Sequence, residues 1–473
     1  MFRLNRDILY LIFYKELQND KNTLYSCFLV NKTWCEIIIP ILWKNPWKDG
    51  NEKLLYNIIF SYLSNDLKNK LKQQDKDFFL TNSYKKPFFN YISFCKHLDF
   101  IEIERIINIY MEKHRILIKN DIINAFINER TRFTHLYLPQ QFDYQIHLIP
   151  GAEQCFSTLE FLYCKTNVDE PVFIGLTEIC KSIKGLELYI EKYNNNYGIV
   201  DLIKSQRKLC NVHFKTEDQY ANDSFCKILE NSLMKHSNTI QYFKITKPLI
   251  TNILSSFMNL KILELVGKFK FRNIKWNCLE SLSLPFLQIL RASFVPITSL
   301  TSIIENTSGH LIEINIYRTS HNEINNKRII QAIYQNCPNL LYLKILFRNT
   351  SSNELENLLI KCKHLNGLFL IISDLLVSFN WDNLFNVLTR LSPIGLFKFK
   401  FSYYYREINL NSLKLFFDNW NGRHPMLLQM ISRKITTNLD FYLLLEKYKT
   451  KGIIQKFDYN TWFEHSFKDF EWI

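Results

Sequence analysis

The sequence predicts an α/β chain: a small all-helical N-terminal domain followed by a right-handed solenoid of helix–strand repeats, its parallel strands concave and its helices convex. Three observations predict it. An apolar triplet of the form Leu-x-x-Leu-x-Leu, tolerant of other apolar residues, recurs eleven times from Phe133 onward. Segments of helical periodicity precede the triplets. The first forty-odd residues carry an amphipathic helical pattern of their own.

That N-terminal pattern resolves into three helices. Ile8, Ile12 and the Phe13/Leu17 pair recur at three-to-four-residue steps, which places them on one face of a helix of about three turns beginning near Arg6. Asn22 or Thr23 can cap a second helix running through Val30, because a side-chain oxygen there accepts from the orphan N–H groups of the first turn. In the third, Trp34, Ile37, Ile38 and Ile41 align, and Pro40-Ile41-Leu42-Trp43 closes the unit with a bulky anchor. So short a piece has too little interior to bury all of these residues. Its surplus apolar face is expected to meet a partner.

From Leu4 to Trp47 the pattern resembles an F-box: an opening Leu4, the Asp7-Ile8-Leu9 and Ile12-Phe13 core, the Leu29-Val30 to Trp34 step and the closing Leu42-Trp43. Many F-boxes have Pro after the first Leu, where this chain has Asn5, itself a good capping residue. The resemblance implies that Leu4, Ile8, Leu9, Ile12, Phe13, Leu17, Val30, Trp34, Pro40, Leu42 and Trp43 hold the cullin-linking adaptor of an SCF-type ubiquitin ligase or form the F-box core. The rest of the chain would then be the receptor for a protein substrate. The alternative is that these are ordinary core residues of a helical cap.

Composition sets the outer bounds. At 473 residues and 47% hydrophobic the chain can bury a large core, in several domains or one continuous repeat array. Its longest apolar runs, such as Ile37 to Trp43, fall far short of the roughly 20 residues of a bilayer-spanning helix, so no membrane association is expected. Polar side chains in Met1 to Asp7 argue against a signal peptide, and eleven cysteines without a Cys-x-x-Cys pair read as reduced thiols, so a cytoplasmic or nuclear protein is expected. The charge of +14 could attract polyanions. The lysines are dispersed, however, in a chain rich in Lys, Asn, Ile, Phe and Tyr, which has the look of codon bias. Nucleic acid is the less favoured partner.

The triplets are Phe133/Leu136/Leu138, Leu159/Leu162/Cys164, Ile183/Leu186/Leu188, Leu209/Val212/Phe214, Ile240/Phe243/Ile245, Leu260/Leu263/Leu265, Leu279/Leu282/Leu284, Leu311/Ile314/Ile316, Leu340/Leu343/Ile345, Leu365/Leu368/Leu370 and Ile394/Phe397/Phe399. From 133 to 394 is 261 residues over ten steps, a mean period of 26, inside the leucine-rich-repeat range. Helical segments stand before them, as in Ile329-Ile330-x-Ala332-Ile333 before Leu340 and Leu384-Phe385-x-x-Leu388 before Ile394. Cys180, Cys337 and Cys362 each sit three residues before a triplet, where a helix turns into a strand and a small apolar side chain fits. This resembles the cysteine-containing class of leucine-rich repeats, a class often joined to F-boxes. The expected organisation is residues 1–47 F-box, 48–132 helical connector and N-terminal cap, 133–400 degenerate repeats, and 401–473 C-terminal repeats and cap.

No catalytic constellation is found: there is no Gly-rich phosphate loop, no Walker-type Gly-Lys-Ser/Thr, no Gly-x-Ser-x-Gly elbow and no cysteine–histidine pairing at zinc spacing. A non-catalytic subunit without metal or cofactor is expected. Alternation along the strands sends the residues between the triplet positions to the open face. Tyr137, Tyr163, Lys165, Tyr189, His213, Lys244, Lys344, Phe369 and Lys398 are therefore the candidate target-binding residues, aromatic anchors interleaved with lysines suited to acidic or phosphorylated segments. Two alternatives stay open: a leucine-rich-repeat scaffold without ubiquitin function, and a basic repeat protein that binds nucleic acid.

Overall fold

Short polar side chains start several of the helices. The computed structural model describes residues 5–16, 20–48, 52–74, 87–111, 114–216, 222–268, 275–279, 281–319, 322–372, 379–403, 408–432 and 439–460, in two compact units, Met1–Val212 and His213–Ile473. In the first unit Asn5 caps α1 (Arg6–Leu11), which continues as a π-helical turn over Ile12–Glu16. Asp20, rather than Asn22 or Thr23, caps α2 (Lys21–Phe28), accepting from the Thr23 N–H at 3.1 Å and the Thr23 hydroxyl at 2.7 Å. A carboxylate two residues earlier reaches the orphan donors that the expected caps would have used. Asn31 caps α3 (Lys32–Leu42), accepting from Trp34 N–H at 2.9 Å.

Four further helices, α4 (Glu52–Ser61), α5 (Asn65–Gln74), α6 (Tyr91–Phe94) and α7 (Phe100–Met111), follow, and α8 (Arg115–Phe126) completes the connector. Between α6 and α7 lies β1 (His97–Asp99), a strand inside the segment expected to be helical. Its Cys95, Leu98 and Phe100 are buried like any triplet, so the repeats begin about one repeat earlier than the pattern suggested. Then come β2 (His135–Tyr137), α9 (Ala152–Phe156), β3 (Phe161–Lys165), α10 (Glu170–Ile179), β4 (Gly185–Ile190) and α11 (Gly198–Ser205). The strands pair in parallel, with Leu98, Leu136, Leu162 and Leu186 level across them. β5 (Asn211–Thr216) straddles the boundary between the units.

The second unit repeats the scheme: α12 (Asp223–Ser232), β6 (Tyr242–Ile245), β7 (Ile262–Val266), β8 (Ile289–Ser293), α13 (Ile297–Glu305), β9 (Glu313–Tyr317), α14 (Glu323–Asn336) and β10 (Tyr342–Phe347). It ends with α15 (Ser352–Lys361), β11 (Gly367–Ile372), α16 (Trp381–Leu391), β12 (Lys398–Tyr403), α17 (Leu410–Asp418), β13 (Met426–Ser432), α18 (Leu439–Thr450) and β14 (Ile454–Asn460). Each strand pairs in parallel with the next, and Phe243, Leu263, Leu290, Ile314, Leu343, Leu368, Phe399, Leu428 and Phe457 stand level. Helices α13 to α18 pack side by side in chain order. Four of this unit's helices are capped by asparagine, Asn222, Asn322, Asn380 and Asn409, each accepting from the first turn, which gives part of the chain's asparagine a structural use.

Two triplets stand elsewhere than expected. Leu279, Leu282 and Leu284 are buried, but they lie in a 3₁₀ turn (Asn277–Leu279) and the loop after it; the strand is β8, with Leu287, Leu290 and Ala292 inward. The steps from Leu260 to Leu287 and on to Leu311 are then 27 and 24 residues, close to the common period. The triplet of β12 is Leu396/Phe399/Phe401: Leu396 N–H bonds back to Pro393 O at 3.0 Å, and this turn leaves Ile394 96% exposed. Among the described residues no helix is long and apolar enough to cross a membrane.

Candidate partner-binding surfaces

The N-terminal helices divide their apolar residues into two sets. Leu9, Phe13, Leu24, Ile37 and Ile38 form a buried core against which Cys27, Phe28, Trp34, Ile41 and Leu42 pack. Trp34 meets Phe13 edge to face, 5.1 Å between ring centroids. Ile8, Leu11, Ile12, Leu29 and Val30 are exposed. The helix face expected to carry Ile8, Ile12 and Phe13 together is thus split, because the pair Leu9 and Phe13, one turn apart, turns inward and sends Ile8 and Ile12 outward. Pro40 is half-buried inside α3, where its missing N–H falls in the last turn, and Trp43 caps that helix and packs on Tyr91 at 4.5 Å. Leu4 and Leu17 lie outside the described residues.

The end of α3 is joined to the first strand. Lys96 N–H donates to Lys44 O at 2.9 Å, and Trp47 Nε1 donates to His97 O at 2.6 Å.

On the strand face of the first unit, register brings the expected aromatics together. Asp99, Tyr137, Tyr163 and Glu187 are consecutive partners, as are His97, His135, Phe161 and Gly185. The His97 and His135 rings stack at 3.9 Å, His135 meets Phe161 at 5.3 Å, and Tyr137 meets Tyr163 at 6.3 Å. A side chain at Gly185 would press on the Phe161 ring. Burial dominates the titration here: it brings His97 down to about 4, lowers His135, raises the Tyr137 and Tyr163 hydroxyls, and lifts Asp99 to about 6. Lys165 stands 4.8 Å over its partner Tyr189 and 3.6 Å from Glu191. Tyr189 is buried, and His213 falls on β5, half-buried.

The second unit's face carries one continuous row, Lys244, Glu264, Arg291, Asn315, Lys344, Phe369, Lys400, Gln429 and Asp458, each the Cα partner of the next. Its first part is an ion ladder: Lys244 to Glu264 at 3.2 Å, Arg291 to Glu264 at 2.9 Å and Arg291 to Glu313 at 2.7 Å. Its middle is basic and aromatic, with Lys344 4.7 Å from Tyr317 and 4.5 Å from Phe369, and Lys400 5.0 Å from Phe369 on the other side. Lys398, expected in this row, stands one position earlier on the face, level with Gly367, its ammonium 3.4 Å from the Tyr342 hydroxyl. The two-residue shift of β12 exchanges it for Lys400. Arg291 was missed because β8 was placed too early; the spacing Leu287-x-x-Leu290-x-Ala292 is the signal that finds it.

Cys180, Cys337 and Cys362 are buried where α10, α14 and α15 give way to their strands, and burial pushes each thiol up to about 12. Cys362 Sγ lies 3.6 Å from Cys337 O, and Cys180 Sγ 3.7 Å from Phe156 O. The eleven cysteines are all unpaired. Among the described residues no group of three or more His, Cys, Asp or Glu side chains converges to hold a metal ion. Neither the models of known protein families nor the curated proteins contain a match to this chain.

Proposed function

We propose that the chain is a substrate-recognition adaptor of a cullin-RING ubiquitin ligase of the SCF type. The N-terminal helices would dock as an F-box on the cullin-linking adaptor, and the leucine-rich-type repeats would bind a protein target. The observation that carries this reading is the division of the N-terminal apolar residues: a closed core of Leu9, Phe13, Leu24, Ile37 and Ile38, with Ile8, Leu11, Ile12, Leu29 and Val30 left outside it. Large aliphatic side chains outside a small core favour a partner that covers them. The chain would supply proximity alone. Holding a target beside the conjugating enzyme raises the effective concentration of its lysines, and the bond-forming groups belong to other subunits.

A pull-down with the purified adaptor tests this. The expected result is retention of the wild type and loss by an Ile8→Asp/Ile12→Asp variant, whose substitutions leave the core untouched and keep the helical circular dichroism. Leu9 is unsuitable for the purpose, because a buried aspartate there would unfold the domain. Absence of binding by the wild type would refute the ligase reading. It would favour a scaffold in which these helices only cap the first repeat, a role that the Trp43–Tyr91 contact and the Trp47 bond to β1 also suit.

A further inference from the structure

We propose that the face of β9 to β13 takes an oxyanion, the carboxylate or phosphomonoester of a side chain on a protein segment, at the row Asn315, Lys344, Phe369, Lys400 and Gln429. The proposal deepens the reading above in one respect, that the strand face is the target surface, and it does not depend on adaptor docking.

Unsatisfied polar atoms mark the place. Asn315 is 0% exposed, and neither its amide nitrogen nor its amide oxygen has a hydrogen-bond partner. Gln429 donates from Nε2 to Asp458 at 2.8 Å, yet its Oε1 accepts nothing, and the Ser402 hydroxyl, two residues beyond Lys400, is likewise unused. Buried polar groups in folded chains are nearly always bonded, so three such side chains on one strand face are a concentration that calls for a ligand. They offer both donors and acceptors. A segment bringing an oxyanion together with backbone N–H groups would satisfy both kinds.

Charge selects the anion. The strand-face positions of β10, β11 and β12 hold Lys344, Lys398 and Lys400 and no carboxylate, and Lys344 and Lys400 are buried beside the Phe369 ring. The rings of Tyr317, Tyr342 and Phe369 lie among the lysines and give apolar contact to a neighbouring side chain. The basic stretch crosses three strands, about 10 Å, and glutamates or Asp458 flank it, so a polynucleotide would meet repulsion on either side. Asn315, Lys344, Phe369, Lys400 and Gln429 are buried, so binding requires the long side chains of the strand face to change rotamer.

Calorimetric titration of the full chain tests the proposal. The probes are a blocked glycine-rich peptide with a central phosphoserine, the same peptide with glutamate or with serine, inorganic phosphate, and an oligothymidylate. The phosphoserine or glutamate peptide is expected to bind at least about tenfold more tightly than the serine peptide and than inorganic phosphate. Lys344→Met/Lys400→Met and Asn315→Leu should each lose about tenfold or more. Asn315→Leu should melt no lower than wild type, since it removes an unsatisfied buried amide, and this separates lost binding from lost folding. Equal affinity for the serine peptide, no binding at about 1 mM, unchanged affinity of Asn315→Leu, inorganic phosphate matching the peptides, or tighter binding of the oligothymidylate would each overturn the proposal. Adaptor binding is absent from this measurement, so the two readings fail independently.

Discussion

Lys344 and Phe369 are Cα partners on adjacent strands, and the lysine ammonium stands 4.5 Å from the centroid of the phenyl ring. Lys400 approaches the same ring at 5.0 Å, so one aromatic face on β11 serves cations from the strands on both sides. A desolvated cation over an aromatic ring is worth up to about 2 kcal/mol, and a leucine has no quadrupole to replace it.

Phe369→Leu is accordingly expected to destabilise the chain by about 1–3 kcal/mol, more than a volume-conserving apolar exchange. Urea unfolding followed by tryptophan fluorescence measures this. A midpoint equal to wild type would show that the ring contributes only its bulk.

The register of β12 makes a sharper contrast. Ile394 is 96% exposed while Phe399 is 0% exposed. Ile394→Ser should change stability by less than about 0.5 kcal/mol and Phe399→Ala should cost about 3–5 kcal/mol. A large loss at Ile394 would restore the register that the triplet spacing first suggested.

Acid should weaken the first unit through its stacked histidines. Burial, with His135 and Lys44 adding to it, holds His97 at about 4 against an ordinary value of 6.5, and burial lowers His135 as well. The unfolded chain takes up these protons below about pH 6.5 and the folded chain does not, so their contribution is complete above 6.5 and is lost as pH falls toward 4. Asp99 has the opposite sign: raised from 3.8 to about 6, its contribution is full below 3.8 and is lost as pH rises through 6. Between pH 7.5 and pH 5 the melting temperature of wild type should therefore fall further than that of a His97→Gln/His135→Gln variant, and Asp99→Asn should be the more stable protein at pH 7.5. Parallel curves for the histidine pair would remove it as the source of acid sensitivity.

Native alkylation separates the cysteines. Cys164, Cys180, Cys337 and Cys362 are buried, with thiols pushed well above the usual range, so a haloacetamide at pH 8 should label them only after denaturant is added. Mass spectrometry reads each site. Native labelling of Cys337 or Cys362 at the denatured rate would contradict their place between helix and strand.

How far the sequence reveals this fold can be judged residue by residue. Where a triplet is uninterrupted and a helix precedes it, as at Leu340 and Leu365, burial and register follow from spacing alone, because period-two alternation leaves no second choice of inward residues. Where several apolar residues crowd together, spacing is ambiguous: Leu279, Leu282 and Leu284 mimic a strand while serving a 3₁₀ turn, and Phe397 and Phe399 allow two registers that only the Pro393 turn separates. β1 was hidden because its inward residues, Cys95, Leu98 and Phe100, lead with a cysteine and stand 38 residues before the triplet that opens at Phe133, outside the common period. The surface row was legible as a set of residue types, and the unsatisfied amide of Asn315 was not, since a missing hydrogen bond is a property of neighbours in space.

In both units, among the described residues, the strands pair with their neighbours in the chain, without a crossover between distant repeats. Closing each contact therefore requires a loop of only one repeat, and contact order stays low for so long a polypeptide. Synthesis and folding can run in the same direction, each repeat ordering on the one before it as it leaves the ribosome. A stalled chain would present an ordered stack ending in an unpaired strand, the edge most open to pairing with another nascent chain.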